Sequence, residues 1–328
     1  VINDESQIFV MRSTVEKFLT SYQFRKTFIS DVLIIISEFG TNLVKYASGN
    51  RLLLFRLLRH HKGEINGVEI ISCDSGTNTR DFEVMLKDGF SSSGSLGMGI
   101  GSISRLSDEL LHFARPGFGN TFICRKYKEE RKGYNPAKDT FDFTCTSQAG
   151  HDYSGDAVAR LLTPDGQLIM VADGLGHGYQ ASLATSEAVK IFKENGDKPI
   201  DMLMEMLSNG LRKTRGAVVA IAQLLENEQK LRYTGTGNIS GRIFSPSGQQ
   251  GLVSHPGIVG GVISKKHIFE FNVAPGSVLV MHTDGLKSAS YIKNLNTLYN
   301  MPATAISTLL FSKLVRNTDD AALAVLKT

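Results

Sequence analysis

The chain has 328 residues, which is long for one domain and comfortable for two. Its net charge of +4, without any Lys/Arg block, argues against nucleic-acid binding. No run approaches the ~20 apolar residues of a membrane-spanning helix, so we expect no membrane association. The three cysteines (Cys73, Cys124 and Cys145) are scattered and lack C-x-x-C spacing. Cys73 and Cys124 lie in apolar, strand-like runs that predict buried thiols, and with no signal peptide we expect a cytoplasmic protein.

The first part of the chain predicts helices followed by strands. Apolar residues recur at helical spacing within residues 13–48, and two apolar runs at 51–58 and 68–73 are typical of strands. A further helix is predicted from about residue 100 to 110, followed by a hairpin whose second strand covers 121–127.

Residues 128–140 are charged, contain Gly and Pro and show no apolar periodicity, so we predict a linker there. The remainder predicts mainly short strands with one pair of helices. The strands are expected at 157–162, 167–172, 217–225, 230–234, 241–244, 278–282 and 321–326. The helices are expected at 181–193 and 201–212.

Glu38 and Asn42 lie four residues apart on a predicted helix, so both side chains point to the same side. A carboxylate and an amide in that arrangement can hold hydrated Mg²⁺ and orient a hydroxyl. The pair alone is more typical of an exposed polar stripe.

Two further elements belong to a nucleotide site. Asp74 ends a predicted strand, where it could accept a hydrogen bond from an adenine amino group, and Gly76 would let the base approach the backbone. A turn would use the same residues. The glycine run (Gly94, Gly97, Gly99 and Gly101) leads into a predicted helix, so its N–H groups could face phosphates.

The order of these parts, ending in Gly117-x-Gly119-Asn120-Thr121, resembles the GHKL ATP-binding family, and within it the anti-sigma-factor serine kinases. The resemblance implies a domain over residues 1–127 with a Bergerat-type α/β sandwich that binds ATP with Mg²⁺. It implies Mg²⁺ coordination by Asn42 and a base or serine-orienting role for Glu38. It also assigns adenine to Asp74 and Gly76, phosphates to the four glycines, and a supporting role to Thr121.

The second half places aspartates beside glycine or another aspartate after apolar strands. They are Asp156, Asp173, Asp284, Asp319 and Asp320. Each Asp-Gly pair alone is typical of a turn, as at Asp165-Gly166. Carboxylate and carbonyl oxygens are also the ligands that Mg²⁺ and Mn²⁺ prefer, and two such ions can activate water for attack on phosphorus.

The motif Asp173-Gly174-Leu175-Gly176-His177-Gly178 and the pair Asp319-Asp320 resemble the PPM-type phosphatases, specifically their SpoIIE-like subgroup. The resemblance implies a PPM-type αββα sandwich over residues 141–328, and an α/β (α+β) chain overall. It implies two Mn²⁺ or Mg²⁺ ions, which Asp173 would bridge beside the Gly174 carbonyl. Asp284 and Asp319 would complete that site, with Asp156 and Asp320 as further metal-binding residues and Asp173 and Asp284 as catalytic ones.

Together the two resemblances imply a bifunctional switch. It would phosphorylate and dephosphorylate a serine or threonine of a STAS-domain protein in a partner-switching pathway. A sigma factor or another regulator is a further expected partner, and the kinase resemblance leads us to expect a homodimer. The alternative is an N-terminal domain that binds a protein partner in a nucleotide-dependent manner without kinase activity, beside an active phosphatase domain.

Overall fold

The computed structural model describes residues 1–59, 64–76, 99–129, 138–148, 150–261, 267–289, 292 and 295–328. They separate into two compact units. The first comprises Val1–Pro136 with Thr308–Lys313, and the second comprises Ala137–Ser307 with Leu314–Thr328. The fold is mixed α+β, as the sequence predicts.

The first unit contains one antiparallel sheet, of order β1-β2-β4-β3. Its strands are β1 (Arg51–Arg59), β2 (Ile65–Asp74), β3 (Glu109–Arg115) and β4 (Gly119–Tyr127). Its helices within the described residues are α1 (Glu5–Ser21), α2 (Lys26–Tyr46) and α3 (Gly99–Leu106). The long helical stretch expected over 13–48 is therefore two helices, with a break at Tyr22–Arg25.

Helix α2 supplies much of the core of this unit. Val32, Ile35 and Ile36 are fully buried, and they belong to one apolar cluster with residues of β2 such as Val68 and Ile70. By length and composition α2 could cross a membrane, and it is the one such helix in the described parts of the chain. Its buried apolar side identifies it here as a core helix packed against a sheet.

The register between β2 and β4 places polar residues opposite each other at two positions, one in the middle of β2 and one at its end. Glu69 lies opposite Arg125, and the two form a buried ion pair at 2.7 Å. Five residues further along β2, Asp74 lies opposite Asn120. A slip of one residue would separate both pairs, because successive side chains alternate between the faces of a strand.

The helix expected to run to residue 110 is wrong at its C-terminal end. Helix α3 stops at Leu106, and Glu109 begins strand β3, which pairs with β4 along its whole length. The carboxylate of Asp108 accepts a hydrogen bond from the Tyr127 N–H at 2.6 Å. Pairing with the next strand in a hairpin therefore overrides the local helical pattern.

The second unit contains two five-stranded antiparallel sheets, of orders β11-β10-β13-β14-β5 and β12-β9-β8-β7-β6. Its first strands are β5 (Phe141–Thr146), β6 (Asp156–Thr163), β7 (Gly166–Gly174), β8 (Ala217–Leu225) and β9 (Lys230–Thr236). The others are β10 (Ser240–Ser245), β11 (Gly248–Leu252), β12 (Phe269–Asn272), β13 (Val278–His282) and β14 (Ala321–Lys327). Its helices are α4 (Tyr179–Glu194) and α5 (Ile200–Gly210), with 3-10 turns at Leu211–Lys213 and Leu295–Leu298. Helix α6 (Ala303–Leu314) contributes residues to both units, because Thr308–Lys313 belong to the first.

Strand β7 is apolar on both faces because it lies between two layers. Leu168 and Met170 belong to the cluster that includes α4 and α5, whereas Ile169 and Val171 belong to the cluster shared with the other sheet. This double burial explains why the strand has a continuous apolar run instead of alternating residues. It also fixes the position of the strand's C-terminal end, where Asp173 lies.

The predicted strands at 217–225 and 278–282 are confirmed with the same bounds. Strands β5, β11 and β12 and helix α6 were not anticipated. Helix α6 is buried nearly all round, so it lacks the polar side that makes a surface helix recognisable from periodicity. Strand β11 is exposed over most of its length, which removes the apolar signal of a strand.

Candidate functional site

Two of the predicted metal-binding aspartates lie side by side on neighbouring strands. Asp156 begins β6 and Asp173 lies near the end of β7, and the two residues are direct partners in the antiparallel ladder. Directly paired residues present their side chains on the same face of a sheet. The structure therefore brings these two carboxylates together at one sheet edge.

The environment of these carboxyl groups disfavours their charged forms. Burial raises the pKa of Asp156 to about 8, and the charge of Asp173 adds to the rise. Burial likewise raises the pKa of Asp173 to about 7, and other nearby carboxylates contribute. Those carboxylates belong to Asp284, Asp319 and Asp320. All five predicted aspartates thus act on a common region of the molecule.

Asp156 is held by a residue to which the sequence assigned no role. The Thr283 hydroxyl donates to Asp156 Oδ2 at 2.6 Å, and it accepts the Ala322 N–H at 2.9 Å. The Thr283 N–H donates to the Ala322 carbonyl at 3.0 Å. Because Thr283 is fully buried, its hydroxyl has one fixed orientation and holds the Asp156 carboxylate in place.

Asp284 also has a partner that the sequence did not reveal. Asn238 Nδ2 donates to Asp284 Oδ2 at 2.9 Å. Gly237 precedes this asparagine with a φ of +97°, and a Cβ there would lie 2.1 Å from Val218 Cγ1. Only glycine fits this turn, which carries Asn238 to Asp284.

Asp320 is bound on both of its carboxylate oxygens. It accepts the Gln148 N–H through Oδ1 and the Gly155 N–H through Oδ2, each at 2.7 Å. These contacts tie Asp320 to the loop that leads into Asp156, which favours a positioning role. Asp319 is exposed, and its Oδ1 accepts the Asp320 N–H at 2.9 Å.

Gly174 is packed too closely for any other residue. A Cβ at this position would lie 2.4 Å from the Ala181 carbonyl oxygen in α4. Its N–H donates to the Gly155 carbonyl at 3.0 Å, which ties the end of β7 to the loop before β6. Gly174, the position predicted to offer a carbonyl to a metal, therefore lies at the end of β7, next to the loop that leads into Asp156.

The donor set suits a hard divalent cation. Within the described ranges, none of the five aspartates forms an ion pair with a basic side chain. No three His, Cys, Asp or Glu side chains there are closed around a common point either. Like-charged carboxylates repel one another, so an open arrangement is expected until a cation draws them together. Mg²⁺ or Mn²⁺ fits these oxygen donors.

The first unit brings together part of the predicted nucleotide site. Glu38 and Asn42 are half-buried on α2. A Cβ placed on Gly99, the first residue of α3, would lie 3.0 Å from Glu38 Oε2 and 3.4 Å from Asn42 Nδ2. The carboxylate and the amide therefore face the beginning of a helix, where backbone N–H groups are unpaired.

The predicted glycine run is only partly described. Gly99 and Gly101 lie in the first turn of α3, where Gly101 is buried. Gly94 and Gly97 lie outside the described residues.

Asp74 lies at the end of β2, as predicted, and forms a turn with Gly76. Its Oδ1 accepts the Gly76 N–H at 2.9 Å, and burial raises its pKa. The side chain that reaches its other oxygen belongs to Asn120, with an Nδ2 to Oδ2 distance of 3.4 Å. Thr121 is fully buried opposite Cys73. The contact with Asp74 that was predicted for Thr121 is therefore made by Asn120.

Residues 163–328 match the family model of stage II sporulation protein E, SpoIIE. This chain belongs to the SpoIIE family. The match covers Asp173, Asp284 and Asp319, so the chain contains a PPM-type serine/threonine phosphatase domain.

Two curated relatives come from Bacillus subtilis (strain 168). The phosphoserine phosphatase RsbX is 28% identical over 145 residues, which are 43% of this chain and 71% of RsbX. The serine/threonine-protein kinase RsbT is 35% identical over 74 residues, which are 23% of this chain and 53% of RsbT. The chain thus spans only about half the length of RsbT.

Two solved structures share the fold. A chain from a study of the bacterial stressosome as a modular system controlling secondary messenger signalling has a TM-score of 0.55 and 24% identity. The match covers 57% of this chain and 98% of that one. RsbX in complex with magnesium has a TM-score of 0.51 and 20% identity, covering 61% of this chain and 98% of RsbX.

The raised carboxyl pKa values predict a pH-dependent response to metal. Between the ordinary value near 3.8 and about 8, these carboxyls retain protons in the folded state that the unfolded chain has lost. Without a divalent cation, their contribution to the free energy of unfolding therefore falls as pH rises through this window. Mg²⁺ should relieve that loss, so we expect it to raise Tm more at pH 8 than at pH 6.

Thermal unfolding in EDTA and in Mg²⁺ measures this effect. Asp173→Asn should show a flatter pH dependence and a smaller Mg²⁺ response, whereas Asp165→Asn, in an exposed turn, should behave as wild type. An undiminished Mg²⁺ response in Asp173→Asn would contradict the assignment.

Substitution of Thr283 separates a positioning role from a packing role. Thr283→Val keeps the shape but leaves Asp156 and the Ala322 N–H without the hydroxyl, which should cost about 1–3 kcal/mol of stability. We also expect a higher Mg²⁺ concentration for half-maximal stabilisation, and recovery of both values in Thr283→Ser. Denaturant unfolding across a Mg²⁺ titration measures both. If Thr283→Val lost stability while its Mg²⁺ midpoint stayed unchanged, Thr283 would have only a packing role.

Proposed function

We propose that this chain is a partner-switching regulator whose phosphatase domain removes phosphate from a serine or threonine of a STAS-domain protein. The observation that carries the proposal is the group of five aspartates on the second unit, none of which has a basic partner among the described residues, in a chain of the SpoIIE family. The identity to the phosphoserine phosphatase RsbX supports a phosphoprotein substrate.

Each aspartate has a distinct role in the proposed reaction. Asp173, Asp284 and Asp319, with the Gly174 carbonyl, would hold a pair of Mg²⁺ or Mn²⁺ ions. When bound, these ions would activate water for in-line attack and offset the charge of the phosphoryl group. Asn238 orients Asp284. Thr283 holds Asp156 at the site, and Asp320 fixes the loop before it.

The first unit is proposed to bind ATP with Mg²⁺ and to phosphorylate the same class of protein. The facing arrangement of Glu38, Asn42 and the start of α3 supports this proposal, as does the identity to the kinase RsbT. Asn42 would coordinate Mg²⁺ and Glu38 would orient the attacking hydroxyl, so that the reaction depends mainly on positioning. Asp74 and Gly76 would contact the adenine.

Opposed activities in one chain would waste ATP unless they were controlled. We therefore propose reciprocal control of the two domains, 1–127 and 141–328, joined by a linker at 128–140. We place the protein in the cytoplasm, in agreement with its three free cysteines. A sigma factor or another regulator and a second copy of the chain complete the proposed partners.

Phosphate release from a phosphorylated STAS-domain protein tests the phosphatase proposal. We expect release by wild type in Mg²⁺ or Mn²⁺, none in EDTA, and a loss of at least about 100-fold in Asp173→Asn, because metal-assisted attack is removed. Asp165→Asn serves as the matched control. No release by wild type with either metal would contradict the proposal.

Phosphate transfer from ATP should be measured in the Asp173→Asn background, where the opposing activity is removed. Transfer to the STAS-domain protein should occur and should be lost in Glu38→Ala, because the hydroxyl is no longer oriented. Glu16→Ala, on the exposed side of α1, is the control. ATP-dependent binding of the partner without any transfer would instead favour a nucleotide-dependent binding module.

A further inference from the structure

An exposed arginine lies beside the loop that follows Asp173. Gly174 is paired with Ala217, the first residue of β8, and the Leu175 N–H donates to the Gly216 carbonyl at 3.1 Å. Arg215 is the residue before Gly216. Its backbone therefore lies next to the end of β7, where Asp173 is located.

The backbone around Arg215 is held in one conformation. Thr214 Oγ1 accepts the Gly216 N–H at 3.0 Å and donates to the Leu211 carbonyl at 2.8 Å. Gly216 has a φ of +82°, and a Cβ there would lie 2.9 Å from the Val259 carbonyl oxygen. A turn with hydrogen bonds on both sides fixes the direction in which the Arg215 side chain leaves the backbone.

The guanidinium of Arg215 reaches the loop itself. Its Nη1 lies 2.9 Å from the position that a Cβ would occupy at Gly176. Gly176 has a φ of +89°, a conformation that disfavours other residues, and the missing side chain leaves space for the guanidinium. The Arg215 guanidinium therefore lies beside Gly176, which is three residues after Asp173 in the chain.

Arg215 has no hydrogen-bond or ion-pair partner among the residues that the structure describes. The five aspartates likewise have no basic partner among the described residues. A guanidinium offers two parallel N–H donors that match two oxygens of a phosphoryl group, and it keeps its charge at all relevant pH values. The neighbouring Arg212 is exposed on the 3-10 turn and provides a comparison of equal charge.

We propose that Arg215 binds the phosphoryl oxygens of the phosphoserine or phosphothreonine substrate, beside the loop that follows Asp173. The proposal rests on the proposed phosphatase function and deepens it by naming the group that recognises the phosphate dianion. Arg215 would hold the phosphoryl group before attack and release it as inorganic phosphate afterwards.

The test measures the binding of inorganic phosphate to the full chain in saturating Mg²⁺ by calorimetry. The same variants are assayed for KM on the phosphorylated STAS-domain protein. Arg215→Gln should weaken phosphate binding and raise KM by roughly 10- to 100-fold, the loss expected for a charged hydrogen-bond pair. Arg215→Lys should fall between, because a lysine lacks the paired donors. Arg212→Gln should match wild type, and the rise in Tm on adding Mg²⁺ should be the same in all variants.

The outcomes distinguish this inference from the proposed function. Phosphate binding that depends on Arg215, in a chain that releases no phosphate from the phosphoprotein, would contradict the phosphatase proposal and support the arginine site. Equal phosphate affinity in wild type and Arg215→Gln would overturn the inference, even if phosphate release were normal. Wild-type protein that binds no phosphate in Mg²⁺ would overturn it as well.

Discussion

The mutual repulsion of closely placed carboxylates is the constraint on which the second unit depends. Asp156 and Asp173 face each other because β6 and β7 pair in a single register, and that register is fixed by apolar layers on both faces of β7. Among the described residues no basic side chain pairs with these carboxylates, so the fold concentrates negative charge. In the proposed function, cation binding would supply the free energy that makes this arrangement favourable, and it would couple the stability of the unit to its chemistry.

The surrounding contacts keep each carboxylate available for that purpose. Thr283 orients Asp156, Asn238 orients Asp284, and Asp320 anchors the loop before β6. Each of these contacts joins elements that are far apart in the sequence. The precision of the site thus derives from tertiary structure, whereas its chemical character derives from the aspartates.

The contrast between local sequence patterns and tertiary contacts explains which residues of the site the sequence could predict. An aspartate followed by glycine at the end of an apolar strand is a local pattern, so Asp173 and Asp284 could be found from the sequence. Thr283 and Asn238 could not, because their importance depends on the partner that the fold brings to them. Arg215 gave no signal for the same reason. The helix predicted across the start of β3 is wrong because β3 pairs with β4 in a hairpin. Helix α6 was missed because it is buried nearly all round, which removes its helical periodicity.

In the first unit, too, contacts made by the fold complete a pattern that is local in the sequence. The spacing of Glu38 and Asn42 predicted a shared helix face, and the structure adds that this face meets the beginning of α3. Asn120, rather than Thr121, reaches Asp74 because pairing between β2 and β4 sets which side chain points toward it. The chain, which has relatives among both phosphatases and kinases, therefore has one group of polar residues in each unit.

The central claim is that the aspartates of the second unit together hold divalent cations. Equilibrium binding of Mn²⁺ to the metal-free, nucleotide-free chain, followed by electron paramagnetic resonance, tests it most directly. We expect about two Mn²⁺ ions per chain with spin coupling between them, as for a two-metal site. The coupling should be lost in Asp173→Asn and retained in Asp165→Asn. Uncoupled Mn²⁺ in wild type, or equal binding by the Asp173→Asn variant, would contradict it.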